Sequence, residues 1–172
     1  ANYGSNPSTT TSSTVQVTHG DSVTFTASPN TGWEVDGWKV DGSSVNGTNT
    51  SYTLSGITGN KNVTVKFKKK VYNVTFSVDG GTGGSLDGTY SGNTQTASGC
   101  TERTFTVTHD GSVTFTAYPD NGWEVDSWSS NVAVDSSDNK KATLSNVTET
   151  TNKIVTVKFK PGTFNLTRSE EH

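Results

Sequence analysis

The stretch HGDSVTFTASPNTGWEVDGW (residues 19–38) returns as HDGSVTFTAYPDNGWEVDSW (residues 109–128), identical at 14 of 20 aligned positions. A segment that recurs at a fixed spacing marks an internal repeat, so the chain reads as two copies of one unit. The same spacing of 90 carries Leu54 onto Leu144 and Ile57 onto Val147, and after a two-residue insertion VTVKFK at 63–68 falls on VTVKFK at 155–160. Within each copy, VQV, VTFTA and VTVKF alternate apolar and polar residues, the period of a half-buried strand. Val15, Val17, Val23, Phe25, Ala27, Val63, Val65 and Phe67 share the inner face, with Thr, Gln and Lys outside.

Two local consequences follow from that alternation. If the first two strands pair side by side, a three-residue loop of His19 to Asp21 sets Val17 opposite Val23 and Val15 opposite Phe25; the second copy then has a loop His109-Asp110-Gly111 with Gly in the bulged-turn position. In WEVDGW, strict alternation sends Trp38 to the face opposite Trp33 and Val35. A one-residue bulge at Gly37 brings Trp38 and Val40 back to the core. The simplest account of the four Trp is that they are core mass, each ring burying a large area. The competing account makes Trp33 and Trp123, which follow the turns PNTG and PDNG, exposed platforms for stacking on sugars.

The chain has 172 residues, 28% of them hydrophobic, with no Met, four Leu and two Ile, so a core must come from Val, Phe and Trp. Thr makes up about a sixth of the chain, which favours strands over helices. A net charge of -3 and a regular pattern exclude the signature of disorder, which needs strong net charge and no periodicity. The single cysteine, Cys100, forbids an intrachain disulfide, and no apolar run approaches membrane-spanning length. The start ANYGSN has neither a charged nor an apolar leader segment, and is expected to be a mature or excised end.

These features predict a mainly β chain of two small domains, 1–70 and 71–162, with a tail at 163–172. The second copy carries an opening segment, YNVTFSVDGGTGGSLDGTY at 72–90, that the first copy lacks. FNLTR at 164–168 echoes YNVTF at 72–76, as the first strand of a third copy would, so the chain is expected to be a piece of a longer array. An alternative phase makes DGGTGGSLDG at 79–88 the linker.

The succession of a Gly turn, S-V-T-F-T-A, Pro, G-W-x-V-x-x-W and V-T-V-K-F resembles the divergent InlB B-repeat group, related to the Listeria-Bacteroides repeats of bacterial surface proteins. There the motif is roughly G-x-x-V-x-L-x-A-x-P-x-x-G-Y-x-F-x-G-W. Trp33 and Val35 stand where Tyr and Phe are usual, Trp38 and Trp128 match the closing Trp, and Ser127 replaces a usual Gly. The resemblance covers nearly all of residues 15–160, through residues that form the fold. It implies two tandem small β-grasp-like repeat domains on a secreted or cell-wall-attached protein, serving as stalk or adhesion modules. Their partners would be neighbouring modules of the same surface protein, with a host protein or a glycan as the further candidate. Related repeats carry a short helix; here no window has helical periodicity, so little or no helix is expected.

Groups that could do chemistry are few. Glu34 and Asp36, repeated as Glu124 and Asp126, lie two apart on a strand and project from one face. A calcium loop needs more oxygen ligands than that, and a glycosidase needs its carboxylates across a cleft, so a solvated acidic stripe is the simpler reading. His19 and His109 recur, but the acidic neighbour moves from Asp21 to Asp110, so no shared metal geometry is expected. Cys100 lacks a positive setting that would activate it. Lys66, Lys68, Lys158 and Lys160 alternate outward, away from the buried position a Lys-Asn isopeptide bond requires. KFKKK at 66–70 has no interleaved aromatics, so nucleic-acid binding is not expected. The expected function is therefore a non-catalytic extracellular repeat module without cofactor or metal. The alternative is a carbohydrate-binding module that stacks sugars on Trp33 and Trp123, with Tyr118 or Tyr90, and bonds hydroxyls through Glu34, Asp36, Glu124 and Asp126.

Overall fold

The computed structural model describes residues 12–164 together with 166 and 168. Two compact units divide the chain, Ala1–Lys70 and Val71–His172, here units 1 and 2. Every regular element among the described residues is a strand, as expected for a chain rich in Thr and Val.

Unit 1 contains β1 (Val23–Thr26), β2 (Trp33–Val40), β3 (Ser43–Val45), β4 (Ser51–Leu54) and β5 (Val63–Lys69). β1 pairs with β4 as a two-stranded ribbon, and β3, β2 and β5 form a three-stranded antiparallel sheet. Asp41 and Gly42, both at positive φ (49° and 86°), make the tight two-residue turn between β2 and β3. Around the buried hydrophobic residues Ala27, Val35 and Trp38 pack the half-buried Phe25, Val45, Tyr52, Val63, Val65 and Phe67.

Unit 2 contains β6 (Val71–Asp79), β7 (Gly84–Tyr90), β8 (Asn93–Ser98), β9 (Arg103–Thr108), β10 (Val113–Pro119), β11 (Trp123–Trp128), β12 (Ala133–Val134), β13 (Lys141–Leu144) and β14 (Ile154–Pro161). One sheet has the order β12-β13-β10-β7-β8, the other β11-β14-β6-β9, in which β14 and β6 are parallel. Both sheets send their inner residues into one core: Val74, Phe76, Phe105, Val107, Val155, Val157 and Phe159 from one, Leu86, Ala97, Val113, Phe115, Ala117 and Leu144 from the other. The Gly-rich stretch at 79–88 is no linker: it turns the chain from β6 into β7, inside unit 2.

The repeat in sequence is also a repeat in register. Val23↔Leu54 to Thr26↔Ser51 in unit 1 becomes Val113↔Leu144 to Thr116↔Lys141 in unit 2. Val35↔Phe67 followed by Gly37↔Lys66 becomes Val125↔Phe159 followed by Ser127↔Lys158, with a bulge at the skipped Asp36 and Asp126. The bulge read from WEVDGW is therefore present in both copies, and it returns Trp38 and Trp128 to the inner side opposite Val65 and Val157.

The hairpin expectation fails. In unit 2 β9 pairs with β6 and β10 with β7 and β13, so the two strands flanking His109 lie in different sheets. Phe105 and Val107 meet Val113 and Phe115 in the shared core, not as neighbours in one sheet. An inward face is the same requirement in either arrangement, and alternation alone does not distinguish them. The turn is also different: Gly111 N–H bonds the Thr108 carbonyl at 2.8 Å, and the positive φ (62°) belongs to Asp110 rather than Gly111. In unit 1 the VQV segment forms no strand, and Val15 is 62% exposed. The tail falls largely outside the described residues; Phe164 lies in no strand and is 85% exposed.

Candidate functional site

The acidic pair and the closing-strand lysines, read separately in the sequence, face one another across β2 and β5. Lys68 Nζ lies 3.6 Å from Glu34 Oε1 and 3.7 Å from Asp36 Oδ1, and Lys66 Nζ lies 3.1 Å from Asp36 Oδ2. In unit 2 Lys160 Nζ straddles Glu124 and Asp126 at 3.5 and 3.6 Å. The strand pairing requires this arrangement. Glu34 is the register partner of Lys68 and Glu124 of Lys160, and the bulge swings the second carboxylate toward the same ammonium. The stripe is therefore an ion-paired patch, in which one lysine bridges two carboxylates in each copy and Lys66 adds a second cation in unit 1. The signal for it was the joint duplication of WEVD and KFK at a constant separation.

The bond from Lys66, reinforced by the charges of Lys66 and Lys68, holds the Asp36 carboxyl below its ordinary value. A general acid needs the opposite displacement, so this carboxylate is unsuited to protonating a leaving group. Among the described residues no three His, Cys, Asp or Glu side chains gather as metal ligands would. His109, 11% exposed in its side chain, sits between the Tyr72 hydroxyl at 3.4 Å and Asp110 at 3.4 Å, while His19 is exposed. Cys100 is exposed in the turn between β8 and β9.

The aromatic candidates separate by environment. Trp38 is buried and Trp128 half-buried; their indole N–H groups donate to the carbonyls of Asn49 and Asn139, at 2.7 and 2.8 Å. Trp123 is half-buried against the core of unit 2, and a methyl group built at Gly83 would run into its ring and into Phe159. Its ring thus lies on the backbone of the β6–β7 turn. Trp33 is half-buried beside its register partner Lys69, whose ammonium sits 6.0 Å from the ring centroid. Tyr90 packs on the core, with its hydroxyl bonded to Thr108 Oγ1 and Thr108 N–H, both at 3.0 Å. Tyr118 is 51% exposed on β10. Of the six proposed site residues, Glu34 and Asp36 meet at Lys68 and Glu124 and Asp126 at Lys160, whereas alternation along β2 and β11 turns Trp33 and Trp123 to the other face.

An open groove on unit 1 is lined by Trp38, Val45, Asn46, Val65, Asp36 and Lys66, of which the last two are bonded to each other. No helix among the described residues is long and apolar enough to cross a membrane.

Neither the curated proteins nor the solved structures contain a match to the chain. The model of one family, the divergent InlB B-repeat domain, matches twice, over residues 1–71 and 72–163. Those two matches cover nearly the whole sequence, and the chain belongs to the divergent InlB B-repeat domain family.

Proposed function

We propose that the chain is a non-catalytic repeat module of a bacterial surface protein, acting outside the cell as a spacer or adhesion element beside neighbouring modules of the same protein. One observation carries the reading: what the two copies share is structural. The shared residues supply the core, the bulge, the indole bond and the lysine that bridges two carboxylates. A stalk needs modules that agree in their cores and differ outside, because each must fold beside its neighbours without exchanging strands with them.

The test is mechanical. Tethered at both ends and pulled, the chain should lengthen in two separate steps, one per unit, without added metal or cofactor. A chain that extends with no resistance would contradict the spacer reading. A saturable complex with a matrix protein would select the adhesion role.

A sugar-stacking role keeps one observation in its favour: the Trp33 side chain is only half-buried.

A further inference from the structure

The first strand of unit 2 and the last among its described residues lie side by side. β6 and β14 are the two central strands in the order β11-β14-β6-β9. They run parallel, in register from Ile154↔Thr75 to Lys158↔Asp79, so the start of β6 and the end of β14 fall at opposite ends of the pair. Neither is an edge. β6 is paired on its other side with β9, from Val71↔Thr108 to Phe76↔Arg103, and β14 with β11, from Trp123↔Pro161 to Trp128↔Val157. Thr75 N–H donates to the Lys153 carbonyl at 2.8 Å, and the inner side chains Phe76, Val78, Val155 and Val157 are all buried.

A pull along the chain enters unit 2 at Val71 and leaves it beyond Pro161, whatever precedes or follows. It draws β6 and β14 in opposite directions along their own axes. The bonds of a parallel pair are evenly spaced along the strands, so they are loaded together and none can open without its neighbours. A pull across the same two strands at one end would open them one bond at a time. The outer partners β9 and β11 hold the pair on both sides, so neither strand can swing away to escape the load.

We propose that β6 and β14 form a shear clamp, and that bearing tension along the chain is a function of unit 2. This role rests on the spacer reading for its setting, since a spacer is pulled end to end whenever the modules on either side of it are held apart. The resistance itself follows from the strand order. Forced unfolding is governed by the rate of crossing the unfolding barrier and not by equilibrium stability, so the clamp is read as a force rather than as a melting temperature.

The test pulls the 172-residue chain, carrying Cys100→Ser, from one N-terminal handle in two geometries. The second handle is a cysteine added after His172 or Thr150→Cys, an exposed residue as far before Ile154 as Val71 is before Thr75. With the Thr150 handle the load crosses the pair at one end instead of shearing it. The unit 2 step is the one that shortens when the handle moves, and unit 1, loaded alike in both, is the internal reference. Expected is a unit 2 unfolding force at least about twofold higher in the end-to-end geometry at one loading rate, with the unit 1 force unchanged. Val157→Ala, in the clamp, should lower the end-to-end force more than Val113→Ala, an equally buried residue on the other sheet. Equal unit 2 forces in the two geometries, or an equal or greater loss from Val113→Ala, would overturn the clamp and leave the spacer reading standing, because the unit still resists. No resistance from either unit in either geometry would overturn both.

Discussion

The indole N–H of Trp38 donates to the Asn49 carbonyl at 2.7 Å, eleven residues further along the chain, and so ties β2 to the approach of β4. Trp128 and Asn139 repeat the bond at 2.8 Å over the same separation. A buried ring with a satisfied polar edge is both core and clasp.

Trp38→Ala or Trp128→Ala should therefore cost its own unit roughly 3 to 5 kcal/mol, enough to unfold it while the other unit melts as before. Trp→Phe keeps most of the area and loses the bond, at about 1 kcal/mol. Differential scanning calorimetry with one variant per unit checks both. Cooperative melting unchanged in the Ala variants would refute the core role.

Deleting Asp126 removes the bulge yet leaves Val125↔Phe159, Ser127↔Lys158 and Trp128↔Val157 in plain alternation, so Trp128 should stay on the inner face and unit 2 should still fold cooperatively. Gly37→Ser should change stability by no more than about 0.5 kcal/mol. Its added Cβ has nothing within 4 Å, and Ser127 already stands at the equivalent place. Circular dichroism melts of the two variants test the bulge from opposite directions.

Gly83→Val should destabilise unit 2 by at least about 1 to 3 kcal/mol. The position has a φ of 87°, and the new side chain would collide with Trp123 and Phe159. Unit 1 should melt unchanged, and indole fluorescence should report displacement of Trp123.

Acid should weaken both units through Asp36, Asp41, Asp135 and Asp138. Their carboxyls are held below the ordinary 3.8 by bonds from Lys66, from Asn62 N–H, from Ser137 and from Lys140 N–H respectively. A carboxyl with a lowered folded-state value binds fewer protons folded than unfolded. Its contribution is therefore complete above about pH 4 and is lost as pH falls through 3.8 toward the folded value. All four groups are exposed, so the effect should be small and should shrink in high salt. Asp36→Asn should reduce the acid-side loss of unit 1 in melts between about pH 6 and 2.

The parts of this fold legible in the sequence were those fixed within a few residues. The bulge follows from the conflict between period two and the spacing of Trp33, Val35 and Trp38; its extra residue is Asp36, one before the Gly37 read from WEVDGW. The absence of helix among the described residues follows from Thr and Gly in place of helix formers. Strand partnership was not legible, because Phe105 and Val107 satisfy the same alternation in either sheet. The pairing of Glu34 with Lys68 was missed for a related reason: it joins residues 34 apart, and only the register of β2 on β5 brings them together. Likewise, Trp33 and Trp123 have identical local sequences. The contact of the Trp123 ring with Gly83 joins residues 40 apart, and nothing in GWEVD announces it.

The central claim is that the residues shared by the two copies hold the fold and not a ligand. Its most direct test is binding of the intact chain to a panel of glycans and cell-wall polymers, beside the same chain carrying Trp33→Ala and Trp123→Ala. The account predicts no saturable sugar binding by the wild-type chain, and lowered melting of the substituted units, with Trp123→Ala the more severe because it uncovers Gly83 and Phe159. Saturable binding abolished by the two substitutions, with melting unchanged, would contradict it.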